Sequence, residues 1–274
     1  MKHKIITFGE LMLRLSPDNN ERFTQAHSYE AVYGGGEANT AVSLANFNVD
    51  TRYVTKLPNH TIGQSAVNSL RQYGVDVSRI VRGGDQIGIY FLEKKTSQRP
   101  TNVIYNRNGS AFALATKEDF DWNSIFEGAT WFHFSGITPA ISDNMAEITI
   151  EACKEAKKRN ITVSCDLNYR SKLWSSEKAN KVMSEVCKYV DICIANEDDA
   201  VGIFGMNASK SDKEKNAYIA EELTKMFPNF KMVASVWRTE TSITTFKLQS
   251  MIYTDGKAYY SQEFFMNILD YIGA

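Results

Sequence analysis

Several function classes lose their support through what this sequence lacks. Its four cysteines, Cys153, Cys165, Cys187 and Cys193, are scattered and never form a C-x-x-C pair. That spacing argues against a zinc ribbon or a dithiol redox centre and fits buried, reduced thiols in a cytoplasmic protein. The four histidines, His3, His27, His60 and His133, show no metal-ligand spacing, and no G-x-S-x-G nucleophile elbow is present. Zinc-enzyme and serine-hydrolase chemistry therefore have little behind them. An excess of one charge sign is also missing, since 31 basic and 32 acidic residues leave a net charge of −1. This balance gives no electrostatic case for nucleic acid or an anionic membrane as partner. No apolar run approaches the length of a membrane span. Met1-Lys2-His3-Lys4 leads directly into Ile5-Ile6-Thr7-Phe8 without a signal-peptide core, so a cytoplasmic location is expected. Neither common phosphate signature, G-x-x-x-x-G-K-[ST] or G-x-G-x-x-G, occurs.

What is present begins with 274 residues at 43% hydrophobic, enough for one large α/β domain. The stretch that stands out is Gly34-Gly35-Gly36-Glu37-Ala38-Asn39, three glycines running into a small-residue helical pattern. Without Cβ atoms such a run lets backbone come close to a bound molecule and present bare N–H groups. A helix N-terminus behind it adds unsatisfied donors and a positive dipole end. A tight turn before a helix is the plainer reading, but the adjoining Glu-Ala-Asn favours a polar-ligand site.

Along the chain, Ile5–Phe8 reads as a buried strand and Leu11–Leu15 as a weakly alternating one. A helix over Ala38–Phe47, a strand over Arg52–Leu57 and a helix over Ile62–Tyr73 give β-α-β-α order, hence a parallel sheet. The rhythm then changes. Gln86–Lys94 and Thr101–Arg107 read as a hairpin, hence an antiparallel sheet separate from the main one. With Leu11–Leu15 and Tyr29–Tyr33 it forms a small lid drawn from about 11–33 and 86–108. Alternation puts Val103, Tyr105 and Arg107 on one face. Whether that face is solvated or closes over a site stays open at this level.

From Thr130 the α/β rhythm returns, with strands over Thr130–Phe134, Ile161–Cys165 and Val190–Ala195. Helices are predicted over Ser142–Arg159, with Ser142 and Asp143 as its cap, over Ser176–Cys187 and over Asp212–Phe227. Polar clusters follow two of the strands, Asp166-Leu167-Asn168-Tyr169-Arg170 and Asn196-Glu197-Asp198-Asp199. The carboxyl ends of parallel strands are where open α/β sheets bind ligands. By itself Asp198-Asp199 reads as an acidic first helical turn. Met232–Val236 and a β-rich Ile243–Tyr260 come last.

Taken in order, Gly34-Gly35-Gly36-Glu37-Ala38-Asn39, Asp166-x-Asn168-x-Arg170 and Asn196-x-x-Asp199 resemble the motifs of the ribokinase-like (phosphofructokinase B type) carbohydrate kinases. The likeness spans essentially the whole chain. Gly9-Glu10-Leu11-Met12-Leu13-Arg14-Leu15-Ser16-Pro17, Tyr105-x-Arg107 and Asp166-Leu167-Asn168-Tyr169-Arg170-x-x-Leu173-Trp174 narrow it towards the 2-keto-3-deoxygluconate kinases within that family. The resemblance implies a single three-layer α/β/α sandwich over 1–274 with a small β lid. It implies transfer of the ATP γ-phosphoryl group to a hydroxyl of a small sugar acid, assisted by Mg²⁺. Gly34, Gly35 and Asn39 would then bond sugar hydroxyls, and Tyr90, Tyr105 and Arg107 would reach in from the lid. Arg107 and Arg170 would meet a substrate carboxylate, or Arg170 the transferred phosphate. Asn168 and Asn196 would lie near the ATP phosphates, Ser235 and Arg238 along the nucleotide, and Asp199 near a water-held Mg²⁺. The family usually carries Glu at the Asp199 position. Pairing of subunits through lid strands is a further family expectation.

The sequence ends inside one such motif. Asp270-Tyr271-Ile272-Gly273-Ala274 resembles the lead-in to the family's Asp-x-x-Gly-Ala-Gly-Asp. Gly273 and Ala274 would contribute to the anion hole, and the Asp expected just beyond Ala274 would be the catalytic base. A chain without it is expected to be a poor kinase, and a C-terminally incomplete sequence is the favoured explanation. A fructose or ribose kinase, or a sugar-binding relative without chemistry, are the alternatives.

Overall fold

Ile5-Ile6-Thr7-Phe8 forms the first strand, β1 (Lys4–Phe8), of the computed structural model, which describes residues 3–96, 98–207, 212–242 and 244–267. Two compact units are present, one running to Thr130 and one beginning at Trp131.

In the first unit β1 is followed by β2 (Met12–Pro17), β3 (Tyr29–Gly34), helix α1 (Gly36–Asn46), β4 (Asp50–Val54) and β5 (Lys56–Leu57). Helix α2 (Thr61–Arg71), β6 (Val81–Arg82), β7 (Gly88–Glu93), β8 (Asn102–Asn106) and the short α3 (Trp122–Ile125) complete it. β1 and β4 pair in parallel, Lys4 opposite Asp50 through Phe8 opposite Val54. Helix α1 turns Ala38 and Ala41 inward against Leu11, Tyr53 and Leu57, with Val67 and Leu70 of α2 in the same core. Small residues on that face bring the α1 backbone close to its neighbours, where larger side chains would hold it off. Phe8 anchors a second apolar group, meeting Phe112, Phe120 and Trp122 edge-on at 5.2–5.4 Å between ring centres.

The run Arg52–Leu57, expected as one strand, is two. β4 ends at Val54, and β5 belongs with β6 in another small sheet. Thr55 marks the change, its carbonyl accepting from Val81 N at 2.9 Å. The lid is present as a separate sheet in the order β3-β2-β7-β8. β7 and β8 form the expected antiparallel pair, but β2 and β7 at the centre run parallel, so the lid is a mixed sheet.

The second unit contains β9 (Trp131–Ser135), α4 (Ile137–Ala140), α5 (Asp143–Lys158), β10 (Thr162–Asp166), α6 (Ser176–Val186) and β11 (Ile192–Ile194). Next come α7 (Glu197–Phe204), α8 (Asp212–Met226), β12 (Met232–Glu240), β13 (Thr245–Thr254), β14 (Lys257–Tyr260) and β15 (Phe264–Asn267). β9, β10, β11 and β12 lie side by side and parallel. β13 turns back along β12, and β14 and β15 both pair antiparallel with β13. Ser142 caps α5 as expected, its hydroxyl accepting from Met145 N at 3.2 Å. Phe132, Phe134, Val163 and Val233 are wholly buried. The four cysteines are free thiols in the same interior. Burial pushes the Cys153 and Cys187 thiols far up, which leaves them unreactive at neutral pH. Among the described residues no helix is long and apolar enough to cross a membrane.

Candidate active site

The lid lays four side chains in a row. Its registers set Val32 against Arg14, Arg14 against Tyr90, and Tyr90 against Tyr105. Cross-strand partners share a face, so the row is one surface. With Met12, Gly34 and Asn39 it lines a cavity of about 220 Å³. The Tyr90 and Tyr105 rings are 5.9 Å apart at a 31° tilt. Burial pushes the Tyr90 phenol up, and the Arg14 charge beside it works the other way. Five of the residues expected to hold the sugar, Gly34, Gly35, Asn39, Tyr90 and Tyr105, are thus brought together. Arg14 and Met12 were not foreseen, although their i, i+2 spacing on β2 places them on one face.

Within the glycine run the protein's own packing constrains one position. A Cβ on Gly35 would come within 2.2 Å of the Glu10 carbonyl oxygen, so the segment after β1 crosses too near for any side chain. At Gly34 an added Cβ would meet the Tyr90 hydroxyl at an ordinary 3.5 Å, and at Gly36 it would meet nothing within 4 Å. Within the protein itself, only the middle glycine is hemmed in, and by backbone.

Arg107 departs from the expected alternation. β8 ends at Asn106, so the next side chain is free of the ladder. Tyr105 is 49% exposed whereas Arg107 is 6% exposed. The Arg107 Nε donates to Glu10 Oε2 at 2.8 Å, its Nη2 pairs with the same oxygen, and Ser110 Oγ donates to Glu10 Oε1. Burial pushes the Glu10 carboxyl up against the opposing pull of Arg107 and Ser110. The guanidinium carbon remains 5.9 Å from the Tyr105 ring centre, which keeps Arg107 beside the cavity lining.

In the second unit the two strand-end clusters are joined. After β10, Asn168 takes a left-handed conformation with φ of 39°, which Asn tolerates better than most residues. The next N–H, of Tyr169, donates to Asp199 Oδ1 at 2.7 Å. Asn196 caps α7 in a reciprocal capping box. Its Oδ1 accepts from Asp199 N, and Asp199 Oδ2 accepts from Asn196 N, both at 3.1 Å. Gly202 leaves room on α7 for the Tyr169 ring, which a Cβ there would approach to 2.5 Å. Arg170 is exposed and donates to the Tyr169 carbonyl at 3.0 Å. Its charge favours the Asp199 carboxylate, which burial otherwise pushes up.

Asn196 and Arg238 line a cavity of about 500 Å³ together with Glu197, Asp198, Lys215 and Trp237. The Arg238 guanidinium lies 4.3 Å from the Phe246 ring centre. Ser235 sits behind this lining, 1% exposed, its hydroxyl donating to the Ala195 carbonyl at 2.6 Å. Gly273 and Ala274 lie outside the described residues. Among those described, no group of three or more His, Cys, Asp or Glu side chains could hold a metal ion. Both Asp199 oxygens already accept backbone N–H bonds, so this carboxylate fits a Mg²⁺ that keeps its waters and is carried mainly by phosphate oxygens.

The family model described as pfkB family carbohydrate kinase matches residues 2–229. Among solved structures, the 2-dehydro-3-deoxygluconokinase of Thermotoga maritima is 45% identical with a TM-score of 0.93, over 98% of this chain and 82% of that one. A PfkB family carbohydrate kinase from Listeria grayi is 33% identical with a TM-score of 0.88, over 97% and 81%. The 2-dehydro-3-deoxygalactonokinase of Haloferax volcanii is 38% identical over 201 residues, 73% of this chain and 62% of that protein. The chain thus spans about three fifths of the length of the curated relatives it matches. The chain therefore belongs to the pfkB family of carbohydrate kinases and has their ribokinase-like fold.

Proposed function

We propose that the protein is an ATP-dependent kinase for a small sugar acid, with 2-keto-3-deoxygluconate as the preferred acceptor. The observation that carries this reading is the lid cavity, whose lining brings Gly34 and Asn39 together with Arg14, Tyr90 and Tyr105. Amide and glycine backbone suit sugar hydroxyls, and arginine suits a carboxylate. A neutral hexose or pentose has no use for the cation. The names of the Thermotoga and Haloferax relatives, both kinases of 2-dehydro-3-deoxy sugar acids, support the same substrate class.

In this proposal ATP supplies the phosphoryl group that a sugar hydroxyl takes up. Asn196 and Arg238 line its cavity, beside Lys215, which is ion-paired with Glu197 at 2.8 Å. Asn168 and Arg170 stand on the loop tied to Asp199, whose carboxylate would hold water of a Mg²⁺ carried by the phosphates. Ser235 serves by fixing β12 to the end of β11. Phosphoryl transfer rests on positioning and charge stabilisation, and these residues supply part of both.

The test is calorimetric titration with 2-keto-3-deoxygluconate, fructose and ribose, followed by a product assay with ATP and Mg²⁺. Tighter binding of the acid, and a phosphorylated acid product, is the expected result. Equal or tighter binding of fructose or ribose would overturn the acid assignment. Acid binding without any product would leave a binding protein in place of a kinase.

A further inference from the structure

Two glutamates are buried at the base of the glycine turn, Glu10 and Glu37. Glu10 has its partners in Arg107 and Ser110. Glu37 is the second residue of α1, where an acidic side chain gains from the helix dipole without leaving water. Burying a carboxylate is costly unless a contact repays it, so the dipole alone does not explain the position. The Glu37 side chain lies across Gly9, the residue after β1. A Cβ on Gly9 would fall 2.5 Å from Glu37 Cδ. Tyr53, itself wholly buried, donates its hydroxyl to the Gly9 carbonyl at 2.8 Å. Burial and then the charge of Glu37 push that phenol up. The next residue, Glu10, sets its carbonyl against Gly35 and its carboxyl against Gly88 at the head of β7. The short segment Gly9-Glu10 is thus gripped from the start of α1 and from the lid. Asn39, two residues beyond Glu37, projects from the opposite side of the helix. With Gly34, Gly35 and Gly36 it lines the sugar cavity.

We infer that Glu37 is a positioning residue of the sugar cavity. Its side chain is a spacer seated on Gly9, and it sets where Gly34, Gly35 and Asn39 stand relative to the lid strands. It does this from the buried side of α1, without touching the sugar. The inference rests on reading this cavity as the sugar site, and it holds for an acid or a neutral sugar alike. Glu10 secures the lid side of the Gly9-Glu10 segment, and Glu37 secures the helix side. A spacer works by reach, which separates two near relatives of glutamate. Glutamine keeps the length without the charge, and aspartate keeps the charge but is one methylene short.

The experiment is calorimetric titration of the wild type, Glu37→Gln, Glu37→Asp and Glu37→Ala with 2-keto-3-deoxygluconate and with fructose. Each titration is run well below the unfolding midpoint of that variant, measured alongside. Glu37→Asp and Glu37→Ala are expected to weaken sugar binding by about 10-fold, the worth of one or two hydrogen bonds to hydroxyls. Acid and fructose should lose the same factor. Glu37→Gln should stay within about 3-fold of the wild type, less than one such bond. If Glu37→Ala unfolds, the comparison of aspartate with glutamine decides alone. Unchanged sugar affinity in a folded Glu37→Asp protein overturns the positioning role, whatever its midpoint, and leaves Glu37 a stabilising contact only. Glutamine as damaging as aspartate also overturns it. A wild type that prefers fructose overturns the acid assignment and leaves the role of Glu37 intact. A wild type that binds neither sugar overturns the reading of the cavity, and the role of Glu37 with it.

Discussion

The Glu10 carboxylate and the Arg107 guanidinium, 97 positions apart in the chain, form one buried ion pair in which Arg107 Nε donates at 2.8 Å. It ties the segment after β1 to the end of β8, so the lid edge and the base of the glycine turn are fixed by the same contact. Removing one partner strands the other charge. Glu10→Ala is therefore expected to cost about 3 to 5 kcal/mol in denaturant unfolding. Replacing both residues with apolar side chains of similar volume should return most of that loss. A Glu10→Ala protein as stable as the wild type would show that the pair carries no such weight.

Gly35 and Gly36 should respond in opposite directions. Gly35→Ala drives a Cβ to 2.2 Å from the Glu10 carbonyl oxygen and is expected to cost about 1 to 3 kcal/mol, as over-packing does. Gly36 opens α1 in free space, so Gly36→Ala should gain about 0.5 to 1 kcal/mol by restricting the unfolded chain. Unfolding curves of the two variants check both signs.

His133 gives the second unit a defined acid response. Its Nδ1 is 2.9 Å from Ser164 Oγ, and burial lowers its pKa from 6.5 to about 4. The folded ring is neutral where the unfolded one is charged. Its contribution is complete above pH 6.5 and is lost as pH falls from there through about 4, amounting to about 3 kcal/mol. Stability measured at pH 7 and pH 4.5 should differ less in His133→Gln than in the wild type. An imidazole that titrates near 6.5 by NMR would contradict this.

The box between Asn196 and Asp199 predicts coupled losses. Asn196→Ala removes a helix cap, at about 1 kcal/mol. Asp199→Ala leaves the Tyr169 and Asn196 N–H groups without their acceptor, at about 2 to 3 kcal/mol. A double-mutant cycle should return an interaction above about 0.5 kcal/mol. Strict additivity would mean that the reciprocal bonds are not energetically joined.

Features decided by near neighbours were legible in the sequence. Ser142 before an apolar helical pattern became a cap, and Asp198-Asp199, read as an acidic first turn, opens α7. The two lid strands, bounded by polar turns, paired as read. What escaped depended on distant partners. Nothing local marks Thr55 as the point where the chain leaves one sheet for another. Strand alternation carried Arg107 onto the face of Tyr105 because neither the end of β8 nor Glu10 is visible from position 107. The need for Gly35 likewise comes from a carbonyl 25 positions earlier. Arg14 is the instructive case, since its place opposite Tyr90 requires the parallel pairing of β2 with β7.

The wholly buried cysteines of the second unit also make the molecule its own stopwatch. Cys153, Cys165, Cys187 and Cys193 all show zero exposure and none is bonded to another. A thiol-specific dye can therefore react only with a chain that has opened, and the rate of colour development in native buffer counts those openings without any added label. Because every cysteine belongs to this unit, the signal arises from that half of the sequence.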